Sequence, residues 1–491
     1  MPERYLALDV GAESGRALVG AFDGDRLRIE EVHRFANRPV RLPTGLHWDA
    51  LALLTELRAG IAAAQRDGPL ESLAIDTWGV DFGLLDERGA LLGNPVHYRD
   101  ARTDGMVETA FSLMPRNEIF AQTGIQFLPI NSLYQLLAMA QADDASLRVA
   151  STLLMMPDLL NYWLTGEKVA EYTIATTTQC LNPRTRGWAG DVLERLGIPR
   201  HIFLDVCMPG TSLGHLRDEV GAVQAPRVVL AGSHDTASAV AGAPLRDAHS
   251  AYISSGTWSL MGVELPEPVI DERTLAWNLS NEGGVASTIR LLRNVMGLWL
   301  VQGIRRGLER AGRSGADYDE LTQAAAESPP LQSVIDPDAV AFLRADDMLR
   351  AIREFCSATH QPLPETPGAL VRAALEGLAL RYRWVLERLE SIIESKTSSI
   401  HVVGGGARNR LLCQMTADAT GRPVLAGPVE ATAIGNTLVQ LMAAGRIRSM
   451  AEARLLVAGS FPVEEYLPQA DARWSDAYVR FLSIDNHSKD D

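Results

Sequence analysis

The chain has 491 residues, too many for a single hydrophobic core, so two or more domains are expected. Hydrophobic residues make up 46% and charged residues 22%, the proportions of an ordinary globular protein rather than a disordered or fibrous one. A formal net charge of −15 argues against nucleic acid as a partner. An anionic nucleotide stays possible, because charge beyond about 8 Å is screened and local loops decide phosphate binding.

The first residues lead straight into a strand, with no signal-peptide core, and no apolar run is long enough to cross a bilayer. A cytoplasmic protein without a membrane partner is the expectation. Cys180, Cys207, Cys356 and Cys413 show neither zinc-site spacing nor a disulfide framework and read as buried thiols in a reducing compartment.

Tyr5-Leu6-Ala7-Leu8-Asp9 is a buried-strand pattern that ends in an acid, followed by the turn Val10-Gly11-Ala12-Glu13-Ser14-Gly15. Strand-like runs at 16–22 and 27–35 complete a meander. A helix is expected over 49–67, then the strand Leu73-Ala74-Ile75-Asp76 and the loop 77–82. Two strands ending in Asp9 and Asp76 point to one functional edge of a sheet. Residues 109–200 are mostly helical in pattern and read as an insertion or cap on the first domain.

The run Gly232-Ser233-His234-Asp235-Thr236 follows the apolar strand 228–231 and opens a small-residue helix that stops at Gly242. Strand, tight turn and helix present a polar residue at the carboxyl end of a sheet. Asp235 has two readings: a helix cap, or a carboxylate that takes a proton from a hydroxyl while nearby N–H groups face phosphate oxygens. A cap would lower its proton affinity, which a late proton transfer in a loose phosphoryl-transfer transition state tolerates.

Residues 251–263 repeat the opening layout of strand, small-residue turn and strand, so a duplicated hairpin marks two related domains, 1–244 and 245–483. The polar tail 484–491 reads as disordered. In the first hairpin, Gly11 and Gly15 free the backbone to approach a ligand, Ser14 and successive N–H groups can cradle phosphate, and Arg16 adds charge. Asp9 can hold Mg²⁺ directly or through water. Neither a Walker loop nor a dinucleotide fingerprint is present.

In the second hairpin Ser254-Ser255-Gly256-Thr257 sets hydroxyls and a glycine in the turn, which a plain hairpin also explains. Gly404-Gly405-Gly406, between a buried strand and a helix over 409–419, offers a flat surface for a base or ribose, and a similar junction follows at 424–436. A helix is expected to open at Arg293 and run to about Ala311, with Asn294 and Gln302 two turns apart near one face. Met296, Leu298, Trp299 and Leu300 are assigned to the core. His234 and His401 read as packed polar residues, and residues 98–102 as a surface ion-pair patch.

Taken together, the stretches 75–82, 124–129, 232–240, 254–261, 294–300 and 402–409, in this order, resemble the FGGY carbohydrate kinases. The resemblance covers residues 5 to about 462. It implies an α/β fold of two ribonuclease-H-like domains, of the actin and hexokinase type, flanking a deep cleft. It also implies ATP and Mg²⁺ as cosubstrate and cofactor, and domain closure that excludes water.

By the same resemblance Asp235 matches the catalytic base, Ala12, Glu13, Ser14, Gly15 and Arg16 the phosphate hairpin, and Asp9 the magnesium-associated acid. Gly79, His234, Asp235, Thr236 and Asn294 match sugar-contacting positions, and Thr257, Gln302 and Gly405 nucleotide-contacting ones. Glu13 departs from the family, and beside a triphosphate its charge should point to solvent.

The implied reaction is γ-phosphoryl transfer to the 1-hydroxyl of L-rhamnulose, with a monomer or weak homodimer as the working form. Alternatives are another ketose such as fuculose or xylulose, or a catalytically silent sugar-binding protein on the same fold. A chaperone-like ATPase would need a peptide-binding domain after the nucleotide domain.

Overall fold

The computed structural model describes residues 2–217, 225–312, 317–343 and 345–487. They form two compact units. Unit 1 comprises Met1–Pro244, Glu264–Leu291 and Glu430–Phe461; unit 2 comprises Leu245–Val263, Leu292–Val429 and Pro462–Asp491.

Unit 1 opens with β1 (Glu3–Val10), β2 (Ser14–Phe22) and β3 (Leu27–Ala36), an antiparallel meander. Helix α1 (Ala50–Gln65) follows. Asp49 caps it by accepting the Ala52 N–H, and Leu53, Leu57, Ile61 and Ala64 recur at helical spacing on its buried face. Strand β4 (Ser72–Thr77) pairs parallel with β1, which sets Asp76 opposite Asp9. With β5 (Ser212–His215) and β6 (Arg227–Val229) the sheet runs β5-β6-β4-β1-β2-β3. β4 and most of β1 are buried throughout, which is why they read as continuous apolar runs rather than as alternation. Helix α2 (Asp235–Ala241) begins shortly after β6.

The middle of the chain carries helices Met106–Leu113, Arg116–Thr123, Ser132–Gln141 and Met156–Thr165. The first three share a core that includes Ile119, Phe120, Leu133, Leu137, Leu153 and Val192, and the fourth packs Leu159 with Leu85 and Leu154. Short strand pairs interrupt the helical pattern, among them Phe82–Leu85 with Thr152–Met155. Residues 98–102 are not a surface patch. Tyr98 is buried, Asp100 caps a short 3₁₀ turn and accepts the Leu46 N–H at 2.8 Å, and Arg102 donates to Gln135 at 2.6 Å.

Unit 2 repeats the topology. β7 (Ala251–Ser255) and β8 (Trp258–Leu265) form an antiparallel hairpin, and β9 (Ile289–Met296) lies beside β8 in the sheet. Helix α3 (Trp299–Arg310) and the long α4 (Pro367–Ile393) precede β10 (Ile400–Val403), β11 (Val424–Ala426) and, after unit 1 is revisited, β12 (Glu464–Tyr466). β9, β8, β7, β10, β11 and β12 are successive neighbours. β10 is parallel to both β7 and β11, so β9-β8-β7-β10-β11 reproduces β3-β2-β1-β4-β6.

The chain returns to unit 1 as α5 (Ala431–Ala443), which packs against α2 backbone to backbone. A Cβ on Gly435 would lie 1.7 Å from the Ser238 carbonyl oxygen, and one on Gly242 2.1 Å from that of Ala431, so both positions exclude a side chain.

Two expectations fail in detail. Asn294 lies in strand β9, and the helix begins only at Trp299, because Gly297 packs its backbone against the β8 backbone where a Cβ would meet Ser259 at 2.6 Å. Leu298 and Trp299 are consequently half-buried, whereas Met296 and Leu300 are core. The tail 484–491 is not wholly disordered: α6 (Arg473–His487) continues through residues 484–487, and 488–491 lie outside the described residues. Trp474, Ala477, Tyr478 and Phe481 anchor that helix, and once it is nucleated extra turns add at little cost. Of the cysteines, Cys207 is partly exposed and the other three are buried.

Candidate functional site

In unit 1 three acids meet at the ends of the central strands. Asp9, the penultimate residue of β1, lies beside Asp76 on β4, and Asp235 opens α2. Asp76 is fully buried; its Oδ2 accepts from Asn436 Nδ2 on α5 at 2.7 Å, and its Oδ1 has no partner. Burial, then the charge of Asp9, raises its proton affinity well above that of an ordinary carboxylate.

Asp235 is not the helix cap. His234 occupies that position without a capping side chain, and Asp235 is the first helical residue. Its carboxyl keeps 30% exposure and accepts the Thr236 hydroxyl at 3.1 Å. Burial, followed by the nearby charge of Asp9, raises its pKa to about 7, the opposite of what a capping role would give. Asp235 is therefore a solvent-reachable carboxylate poised to gain or lose a proton near neutrality.

The surrounding hydrogen bonds hold the loop in place. Thr77 N donates to the Ser233 carbonyl at 2.9 Å, His234 N donates to Thr173 Oγ1 at 3.1 Å, and Ser238 Oγ donates to the Gly232 carbonyl at 2.7 Å. Gly79 lies half-exposed in the loop after β4. The following Val80 adopts φ 67°, a conformation a β-branched residue rarely takes, and is secured by Thr177, whose Oγ1 accepts its N–H at 3.0 Å.

Across the β1–β2 turn the expected roles divide. Glu13 is exposed, as its charge requires. Gly15 serves packing rather than ligand approach, since a Cβ there would lie 2.1 Å from the Phe35 ring. Arg16 donates to Asp9 Oδ2 at 2.6 Å and also to Glu430, so its charge is already engaged by two carboxylates. Ala12 and Ser14 remain half-exposed in the turn.

In unit 2 the second hairpin joins α3. Leu298 N donates to the Gly256 carbonyl at 3.0 Å, Trp299 N to that of Thr257 at 3.1 Å, and Gln302 Nε2 to Thr257 Oγ1 at 3.3 Å. Gln302 Oε1 has no hydrogen-bond partner. The three glycines differ in purpose. Gly404 takes φ 81°, and Gly406 admits no Cβ because Ser255 Oγ would lie 2.0 Å away. Gly405 alone faces open space. Asn294 is half-exposed on β9.

Sequence reasoning missed Glu430, which caps the Arg16 pair, and the buried pair Arg290 and Glu282 behind His234. The one available signal for Arg290 is a charge inside the apolar strand Ile289-Arg290-Leu291-Leu292.

Comparison with known proteins bears on this arrangement. Residues 4–242 match the N-terminal domain, and residues 251–444 the C-terminal domain, of the FGGY family of carbohydrate kinases. A rhamnulokinase of Bacteroides thetaiotaomicron is 44% identical over 488 residues, covering 98% of this chain and 99% of its own. One of Pectobacterium atrosepticum is 41% identical, covering 98% and 96%. Among solved structures, a ligand-bound xylulose kinase from Lactobacillus acidophilus superposes with a TM-score of 0.82 at 16% identity, covering 99% and 98%. Plasmodium falciparum glycerol kinase with ADP gives 0.77 at 15%, covering 100% and 98%. These likenesses carry the two-domain fold of the sugar kinases.

Proposed function

The chain belongs to the FGGY family of carbohydrate kinases, and we propose that it phosphorylates L-rhamnulose at O1, giving L-rhamnulose 1-phosphate and ADP. The observation that carries the chemistry is Asp235, a half-exposed carboxyl with its pKa raised to about 7 beside Asp9.

In this reading Asp235, ionised, orients the ketose 1-hydroxyl and takes its proton as O1 bonds to the γ-phosphorus and the bond to the β-phosphate bridging oxygen breaks. The transition state is loose, so the protein's work is placement and charge neutralisation. Gly79, His234, Thr236 and Asn294 hold the sugar; the hairpin 12–16 borders the phosphates through Ala12 and Ser14, with Glu13 turned to solvent and Gly15 and Arg16 fixing its shape; Thr257, Gln302 and Gly405 meet the nucleotide. Residues 1–244 then supply the sugar and phosphate side and 245–483 the nucleotide side.

Magnesium suits this donor set. It is commonly held by one or two carboxylates while phosphate oxygens and water complete its shell. Asp9 offers a carboxylate with one oxygen paired to Arg16, and Asp76 Oδ1 lies buried without a partner. Asp9 would hold the ion, directly or through water, and the ion would supply positive charge to the transferred phosphate oxygens. The proposed setting is the cytoplasm, with a monomer or weak homodimer as the working form.

The test is a panel of ketoses with Mg-ATP, following ADP release. L-rhamnulose is expected to give the highest kcat/KM. Preference for fuculose, xylulose or ribulose with rhamnulose idle removes the sugar assignment. Sugar binding without ADP release from any ketose removes the kinase.

A further inference from the structure

Behind His234 stands a group that no motif announces. Arg290, in β9, has none of its side chain accessible. Its Nε donates to the Gly283 carbonyl at 2.9 Å. Its Nη2 lies 3.1 Å from His234 Nδ1 and 3.3 Å from Glu282 Oε2. Glu282, 3% exposed, also accepts the Ser280 hydroxyl at 3.1 Å.

A guanidinium only donates, so His234 Nδ1 must offer its lone pair. Glu282 Oε2 is also 3.5 Å from that nitrogen, but a proton on Nδ1 would face the N–H of Arg290 at the shorter 3.1 Å. The ring's single proton therefore resides on Nε2. Burial, then the charge of Arg290, opposes a second proton by lowering the ring's pKa well below the usual value. Nε2 is the nitrogen that lies 3.5 Å from Asp235 Oδ1.

We propose that Arg290 is a positioning residue for phosphoryl transfer: it locks His234 as a neutral Nε2–H donor aimed at the oxygen whose proton Asp235 removes. The proposal rests on Asp235 being the base. A neutral Nε2–H donates to a lone pair of the sugar oxygen and, by elimination, leaves that oxygen's proton to face the carboxylate. A cationic ring at that place would instead pair with Asp235 and weaken it as a base. Glu282 supplies the buried Arg290 with a counter-charge, and the influence that Arg290 still has on Asp235 lowers, rather than raises, that carboxyl's proton affinity.

Protein labelled with ¹⁵N in its histidine rings tests this directly, the His234 signals being assigned by difference from His234→Asn. The expected wild-type spectrum has a protonated Nε2 and a bare Nδ1, unchanged between about pH 6 and about pH 8. A protonated Nδ1, or a ring that titrates in that range, overturns the proposal without any need for activity. Two neutral variants then separate donation from packing. Arg290→Gln keeps an N–H donor and Arg290→Met does not. With L-rhamnulose, kcat should fall at least about tenfold in Arg290→Met, at unchanged KM for ATP, and recover severalfold in Arg290→Gln. Equal kcat in two folded variants overturns the role. If neither variant folds, the wild-type spectrum decides. A wild-type enzyme inert on every ketose with the expected spectrum overturns the kinase reading and the catalytic role resting on it, while the tautomer stands.

Discussion

Arg16 Nη2 donates to Asp9 Oδ2 at 2.6 Å, and the other arm of the same guanidinium reaches Glu430, 414 positions along the chain. One side chain thus ties the first hairpin to the start of α5. Arg16→Met should leave two partly buried carboxylates without their counter-charge. The expected result is a loss of about 1–3 kcal/mol in unfolding free energy, with a raised KM for Mg-ATP. Denaturant unfolding and initial-rate kinetics measure both; an unchanged midpoint would mean that water replaces the arginine fully.

Asp235→Asn removes the proton acceptor but preserves the shape of the side chain. Its kcat should fall about 10²–10⁴-fold with the KM for ketose nearly kept. Stability should move the other way. The folded-state pKa of about 7 lies above the ordinary 3.8, so folding favours the protonated acid; that stability is complete below the unfolded value and is lost as pH rises through about 7. The variant's melting temperature relative to wild type should climb between those limits and level off above them, by a few degrees on the order of 2 °C per kcal/mol. Thermal melts at acid and mildly alkaline pH check this.

The same carboxyl predicts the shape of the rate profile. Wild-type kcat should rise about tenfold per pH unit below the pKa of about 7 and flatten above it, as Asp235 ionises. His234, held neutral by burial and Arg290, should add no second limb in that range. A flat profile down to strongly acid pH would show that the environment of Asp235 differs in the enzyme–substrate complex.

The glycine run separates packing from binding. Gly406→Ala drives a Cβ to 2.0 Å from Ser255 Oγ and should lower the melting temperature. Gly405→Ala meets nothing within 4 Å, so it should fold normally and raise the KM for ATP if the base or ribose lies there. Isothermal titration with a non-hydrolysable ATP analogue reads the second effect apart from turnover.

Much of the architecture was legible because it is written locally. Buried strands show as apolar runs at 5–8 and 73–75, turns as glycines, and α1 as helical spacing behind Asp49. The duplicated hairpin pointed to the repeated order that both units adopt. Asn294 was misplaced because residues 289–300 carry an apolar pattern that suits either a strand or a helix, and only the backbone contact at Gly297 decides where one gives way to the other.

The sequence by itself determined the family, the order of its motifs and the acids at the ends of β1 and β4, since periodicity, turn chemistry and short motifs depend on neighbours along the chain. Tertiary structure alone decided that Asp235 binds its proton tightly, that Arg16 is shared between Asp9 and Glu430, and that Arg290 sets the tautomer of His234. Proton affinity and hydrogen-bond direction follow from burial and from charges brought close in space, and a linear pattern does not record which distant residues folding will make adjacent.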